Sequence, residues 1–145
     1  MKIRTILTVL LAISIFSCDK TGAKPEIDFY ELGFENSKTA LAGDELHMDA
    51  EVVAENKIDR IDIEIHPEGD EHKKSASMSP VAEEWEFDTI YTEFSGLKNT
   101  HFHKHIKVPA EAGSGHYHFH FSVTDLEGYQ SVHEEEIEIL ATEAK

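Results

Sequence analysis

The sequence predicts an all-β domain built as an antiparallel β-sandwich, and three observations support that fold class. Several segments alternate apolar and polar residues with a period of two, which is the pattern of half-buried strands. Clusters of Gly, Pro, Asn and Asp separate these segments, as they do in sandwiches and barrels. No segment after residue 25 carries the apolar stripe of an amphipathic helix. We therefore expect one domain over residues 26–142.

Residues 1–17 have the composition of a lipoprotein signal peptide. Lys2 and Arg4 form a basic start, and the mostly apolar stretch that follows is too short to cross a bilayer as a helix of the mature protein. The segment Ile15-Phe16-Ser17-Cys18 resembles a bacterial lipobox, which implies cleavage before Cys18 and a lipid on its sulfur. Residues 18–25 then form the lipidated cysteine and a short polar linker. A plain secretory signal with an incidental cysteine is the alternative.

This signal peptide and the cysteine after it predict the location of the protein. A lipid on Cys18 would anchor the domain to a membrane of the bacterial cell envelope, and we expect the outer membrane, on its periplasmic face or at the cell surface. Cys18 is the only cysteine, so no intramolecular disulfide is possible and the fold must depend on its core.

The charge balance excludes one class of partner. The chain has 13 basic and 29 acidic residues, and loss of Lys2 and Arg4 with the signal leaves 11 against 29, a net charge of −18. Such a chain repels phosphate backbones, so nucleic acid is not an expected partner. The same field attracts cations.

The first half of the domain is predicted to contain three strands. Pro25 opens an edge strand, and the Tyr30-Glu31 step marks a bulge or a bend in its alternation. The apolar residues of this strand are Ile27, Phe29, Leu32 and Phe34. Two more regular strands follow, with the predicted inward residues Leu46, Met48, Ala50 and Val52 in one and Ile61, Ile63 and Ile65 in the other.

The second half is predicted to begin with a long charged loop over residues 67–80. Trp85 and Phe87 then indicate a short strand whose aromatic residues cap one end of the core. The next strand, 100–108, has Phe102, Ile106 and Val108 on its core side, and another begins at residue 116. Residues 125–128 predict a tight turn before the last strand, because Gly128 tolerates the positive φ that such a turn requires.

Several segments also resemble known families. Residues 108–113 and 123–131 resemble the last strands of bacterial immunoglobulin-like domains. More narrowly, motifs spread over nearly the whole mature chain resemble a lipoprotein family of the Bacteroidetes catalogued as a domain of unknown function (forty-six twenty-five). These motifs are Glu35-Asn36-Ser37, Ala42-Gly43-Asp44-Glu45-Leu46-His47, Ile63-Glu64-Ile65-His66, Trp85-Glu86-Phe87-Asp88, Gly96-Leu97-Lys98-Asn99-Thr100, Phe102-His103-Lys104-His105 and Gly115-His116-Tyr117-His118-Phe119-His120. The resemblance implies an immunoglobulin-like sandwich of about seven strands and a lipoprotein address, and it implies no particular activity.

Two predicted strands place histidines on their outer face. Because side chains alternate along a strand, residues 101–105 and 116–121 each put three histidines on one side and apolar or basic residues on the other. In the usual order of an immunoglobulin-like sandwich, these strands lie on different sheets, and each acquires polar neighbours from an adjacent strand. The first candidate patch consists of His118, His120, His66, His116, Glu136 and Glu64. The second consists of His103, His105, His101, His47 and Asp49.

Strand geometry limits how many histidines of one run can bind one ion. Residues two apart lie about 6.6 Å from each other and residues four apart about 13 Å, whereas zinc needs nitrogens at about 2.0 Å. The prediction is therefore a His-X-His pair completed from the neighbouring strand. The preferred site is His118 with His120, completed by His66 or a carboxylate. The second choice is His103 with His105 and His47.

Imidazole and carboxylate ligands favour Zn²⁺, Cu²⁺ or Ni²⁺. The leading hypothesis is a non-enzymatic, membrane-anchored module that binds such an ion for acquisition, buffering or delivery, with an envelope transporter or receptor as a possible partner. The alternative is a structural module that binds a protein or glycan, in which the histidines are incidental or respond to pH near 6.5. We expect no enzyme, since no nucleophile elbow, phosphate loop or catalytic triad pattern is visible.

Overall fold

The computed structural model describes residues 22–68 and 84–142, and within these ranges the regular structure is β-strand apart from one short 3₁₀ turn at Phe34–Asn36. The all-β prediction is therefore confirmed. The strands are β1 (Glu26–Leu32), β2 (Thr39–Leu41), β3 (Glu45–Val53), β4 (Ile58–Pro67), β5 (Phe87–Tyr91), β6 (Asn99–Lys107), β7 (Gly115–Asp125) and β8 (Gln130–Leu140).

The strands form two sheets. Sheet A has the order β1-β3-β6, and sheet B has the order β2-β8-β7-β4-β5. All pairs are antiparallel except β2 with β8, which is parallel. The eighth strand, beyond the seven expected, is β2, whose three residues are too few for a period of two to be visible.

The core lies between the two sheets and consists of the residues that alternation placed inside. The predicted inward residues of β3 and β4 are all fully buried. Phe121 of sheet B joins the two layers, because its ring lies edge-on to those of Phe29 and Phe102, with centroids 5.0 and 5.1 Å away. Burial of such side chains is the main stabilising term in a domain without disulfides.

The topology is that of an immunoglobulin-like sandwich, as predicted. Sheet membership and chain order match, because the chain crosses between the sheets along β1 to β4 and again around β6, while β4 with β5 and β7 with β8 are neighbours in the same sheet. The fold also has a tyrosine corner, in which the Tyr117 hydroxyl donates a 2.7 Å hydrogen bond to the buried Gly113 carbonyl. Burial raises the pKa of Tyr117, which keeps this donor protonated.

Local details confirm some expectations and revise others. The register of β1 shifts between Phe29 and Glu31, which confirms the predicted bulge. Trp85 is buried but precedes β5, so the short strand begins only at Phe87. Phe34 is 75% exposed, because β1 ends before it and the chain turns there.

Some predictions fall on residues that are not described. The signal peptide, Cys18 and most of the 67–80 loop lie outside the described ranges. Within those ranges, no helix is long and apolar enough to cross a membrane.

Candidate metal centre

The outer face of sheet A carries the histidines of β6 opposite polar residues of β3. His47 lies opposite His105, Asp49 opposite His103, and Glu51 opposite His101. Alternation explains this arrangement, because Leu46, Met48 and the other inward residues of β3 occupy the intervening positions. Sequence reasoning placed these two strands side by side, and the register now shows which residues face each other.

Three of these histidines converge, and we refer to His47, His103 and His105 as the first triad. The Nε2 atom of His103 lies 3.3 Å from Nε2 of His47 and 3.3 Å from Nε2 of His105. One ring nitrogen from each of the three residues lies within 4.8 Å of the other two. Within the described ranges, no other group of three or more His, Cys, Asp or Glu residues meets that criterion.

The two 3.3 Å separations match the requirements of a tetrahedral ion. Two nitrogens bound at about 2.0 Å with a tetrahedral angle between them lie about 3.3 Å apart. A right angle at the same bond length, as in square-planar or octahedral coordination, would bring them to about 2.8 Å. The separations of His103 from His47 and from His105 are therefore those of ligands on a tetrahedral ion.

The other nitrogen of each ring faces a carboxylate. Nδ1 of His47 lies 3.3 Å from Glu31, Nδ1 of His103 lies 3.7 Å from Asp49, and Nδ1 of His105 lies 3.4 Å from Glu45. Carboxylates behind metal-bound histidines hold the proton on the outer nitrogen and raise the basicity of the inner one. With Nδ1 protonated in all three rings, the Nε2 lone pairs of His47 and His105 both lie close to that of His103, an arrangement that a bound cation stabilises.

Glu31 reaches His47 because of the bulge in β1. The register shift places Glu31 opposite Asp49, on the outer face, and leaves Leu32 opposite Met48, inside. The same Glu31 oxygen accepts a 2.6 Å hydrogen bond from the backbone N–H of Glu35 in the following turn. That turn therefore helps to hold the carboxylate behind the histidine.

His101 lies beside the first triad and does not join it. Its Nε2 is 2.6 Å from Oδ1 of Asp49, whose other oxygen faces His103. Asp49 therefore bridges a histidine of the triad and one outside it. Of the second candidate patch, the structure brings together His47, His103 and His105, with Asp49 behind them and His101 at the side.

The first candidate patch, which contains the site preferred from the sequence, lies on the outer face of sheet B and is arranged differently. His66 lies opposite His118, and Glu64 lies opposite His120. We refer to His66, His118 and His120 as the second triad; its ring centroids are 5.3, 5.3 and 6.2 Å apart, and its nitrogens do not converge as those of the first triad do.

The remaining residues of that patch contact each other. His116 pairs with Glu136, Nδ1 to Oε1, at 2.7 Å. Glu136 lies opposite His118 in the register but is turned towards His116. The structure therefore places both residues at the border of the second triad.

Two functional carboxylates were not among the residues expected from the sequence. Glu45 and Glu31 lie behind the first triad, yet only Asp49 was predicted there. Glu45 shares the parity of His47 on β3, so alternation could have identified it. Glu31 could be identified only by following the bulge, since simple alternation from Phe29 places it inside.

Comparison with known proteins identifies the family but no activity. No curated protein matches the chain. A family model described as "Domain of unknown function (DUF4625)" matches residues 15–140, which include every strand and both triads. The chain therefore belongs to the DUF4625 family, as the sequence motifs suggested.

Proposed function

We propose that this protein is a membrane-anchored, non-enzymatic module of the bacterial envelope that binds a divalent transition metal through the first triad. The single observation that carries the proposal is the convergence of three histidines, with Nε2 of His103 lying 3.3 Å from Nε2 of both others and a carboxylate behind each ring. Anchoring rests on the lipobox-like segment ending at Cys18.

Zinc is the favoured ion among the three that the ligand types allow. Zn²⁺ takes tetrahedral sites with imidazole ligands, whereas Cu²⁺ and Ni²⁺ favour tetragonal ones. The 3.3 Å separations support the tetrahedral choice. Three protein ligands leave a fourth position for water or for a ligand of a partner.

The exposure of the site favours exchange of the ion over catalysis. The side chains of His103 and His105 are about half exposed, and that of His47 is 18% exposed. An ion held on such an open face can be taken from and passed to another molecule directly, but water is poorly excluded from it. Acquisition, buffering or delivery of zinc is therefore the proposed role, with an envelope transporter or receptor as the partner.

Zinc titration of the protein purified without a histidine tag tests the proposal. The double variant His103→Ala/His105→Ala removes two of three ligands, and we expect its affinity at this site to fall by more than about 100-fold, beyond the usual effect of an outer-shell change. The matched control is His101→Ala on the same strand and face, for which we expect a loss of less than about tenfold.

Cobalt substitution adds a readout of geometry, since coordination geometry is diagnostic of the site. We expect the intense visible bands of tetrahedral Co²⁺ in the wild type after the first equivalent of Co²⁺, and their absence at that equivalent in the double variant. Equal zinc affinity in the wild type and the double variant would refute the proposal.

A further inference from the structure

We infer that the second triad is an independent site for a divalent metal ion, so that the protein binds two ions, one on each outer face of the sandwich. This inference goes beyond the proposed function, which requires the first triad alone. The two sites lie on different sheets with the core between them and share no residue.

Register and ring distances place the second triad within reach of one ion. His66 lies directly opposite His118, and its ring also stacks on that of His120 with an interplanar angle of 16°. Both centroid separations are 5.3 Å, equal to that of His103 and His105, whose Nε2 atoms are 3.3 Å apart. Rotation of the His66 ring can therefore turn a nitrogen towards His118 or His120, and the side chains of these two, whose centroids are 6.2 Å apart, must also turn towards each other for all three to bind one ion.

The hydrogen-bonding partners of the rings leave nitrogens available for a metal. Nδ1 of His66 lies 3.2 Å from the Pro67 carbonyl, which requires an N–H there and leaves Nε2 with its lone pair. Nδ1 of His120 lies 3.4 Å from Glu134. The His118 ring forms no hydrogen bond or ion pair with any residue that the structure describes, so no such contact has to be broken when it turns towards a neighbour.

The surroundings of the second triad are acidic. In the strand register, the residues beside the histidines of β7 and their β4 partners include five carboxylates, namely Asp88, Glu64, Glu134, Glu136 and Glu138. His66 also borders a cleft of about 500 Å³ whose other ionisable lining residues are Glu64, Glu68, Glu84, Glu86 and Asp88. This field raises the local concentration of divalent cations, and Glu64, opposite His120, can supply an oxygen ligand.

The two sites should load in order. The nitrogens of the first triad already converge, whereas the second triad must reorient its rings, which costs affinity. We therefore expect zinc to fill the first triad before the second.

Zinc titration followed by calorimetry and elemental analysis tests this inference. The wild type should bind two ions in two steps. His103→Ala/His105→Ala should retain one ion with the weaker affinity, and His66→Ala/His118→Ala should retain one with the tighter affinity. His116→Ala is the matched control, because it lies on the same strand and face as His118 but pairs with Glu136; it should bind two ions. All substituted residues lie on outer faces, and circular dichroism with thermal unfolding verifies that each variant is folded.

The possible results separate this inference from the proposed function. A wild type that saturates at one ion, lost in His103→Ala/His105→Ala, refutes the second site and leaves the first intact. A single ion that survives in that variant and disappears in His66→Ala/His118→Ala refutes the first site and supports the second. Binding of two ions that persists in His66→Ala/His118→Ala also refutes the second site.

Discussion

Replacement of Glu31 by Gln tests whether the carboxylates behind the first triad contribute to metal binding. One oxygen of Glu31 lies 3.3 Å from Nδ1 of His47 and accepts the Glu35 N–H at 2.6 Å. A glutamine retains an oxygen for that N–H, so the turn should persist. It lacks the negative charge that holds the proton on Nδ1 of His47 and strengthens the opposite nitrogen as a ligand.

The size of the effect follows from the position of this carboxylate. Loss of an outer-shell partner typically lowers metal affinity by 10- to 100-fold, roughly. The Glu31 side chain is 30% exposed and partly screened by solvent, which places its effect at the lower end of that range. We therefore expect Glu31→Gln to weaken zinc binding about tenfold, equivalent to about 1.4 kcal/mol.

Competition against a chromogenic zinc chelator measures this change. Glu51→Gln is the matched control, because Glu51 lies on the same face of the same sheet but opposite His101, outside the first triad. It removes the same charge from the same surface and should leave the affinity nearly unchanged. An equal loss in both variants would attribute the effect to the general field, and no loss in Glu31→Gln would refute a role for the carboxylate.

Three further predictions concern the fold and are read out by chemical denaturation. Tyr117→Phe leaves a buried carbonyl of the preceding turn without its donor and should cost about 1–3 kcal/mol. Phe121→Ala opens a cavity between the sheets and should cost about 3–5 kcal/mol, whereas Phe34→Ala at the exposed turn should stay within about 0.5 kcal/mol. The hydrogen bond from Lys104 lowers the pKa of Glu93. At pH values above the ordinary glutamate pKa of 4.5, this exposed pair should therefore stabilise the fold, by less than about 1 kcal/mol. The contribution should be lost as the pH falls and Glu93 becomes protonated. Glu93→Gln should remove the pH-dependent part, and a cost that persists in acid would contradict this assignment.

Much of the fold could be predicted because apolar and polar residues alternate along most strands, and the apolar ones are those that are buried. Alternation identified the inward side chains of β3, β4, β6 and β7, and chain order then specified which strands are neighbours. The same reasoning could not assign His133, because β8 is acidic along most of its length and shows little contrast between its faces. The structure places His133 at the inner side, stacked on Phe29 with centroids 4.5 Å apart.

The ranking of the two histidine patches could not be derived from the sequence. Both have a His-X-His pair and a histidine on the adjacent strand, so the spacing of the histidines in the sequence does not distinguish them. They differ in side-chain rotations, which depend on the positions of neighbouring carboxylates across the sheet. Glu45, Asp49 and Glu31 face the outer nitrogens of the first triad, whereas Glu136 is turned towards His116 and away from His118.

The bulge in β1 gives position 30 a role that does not depend on its side chain. Phe29 pairs with Ala50 and Glu31 with Asp49, so Tyr30 has no partner of its own and is 55% exposed. Regular pairing of the same residues without the bulge would place Tyr30 opposite Asp49, turning Glu31 towards the core and Leu32 towards water. Substitutions at position 30 should therefore be tolerated, and deletion of Tyr30 should leave Glu31 opposite Asp49 and Leu32 opposite Met48, because it removes only the unpaired residue. The bulge thus allows Phe29 and Leu32, three positions apart in the sequence, to face the core together, while Glu31 stays on the outer face beside His47.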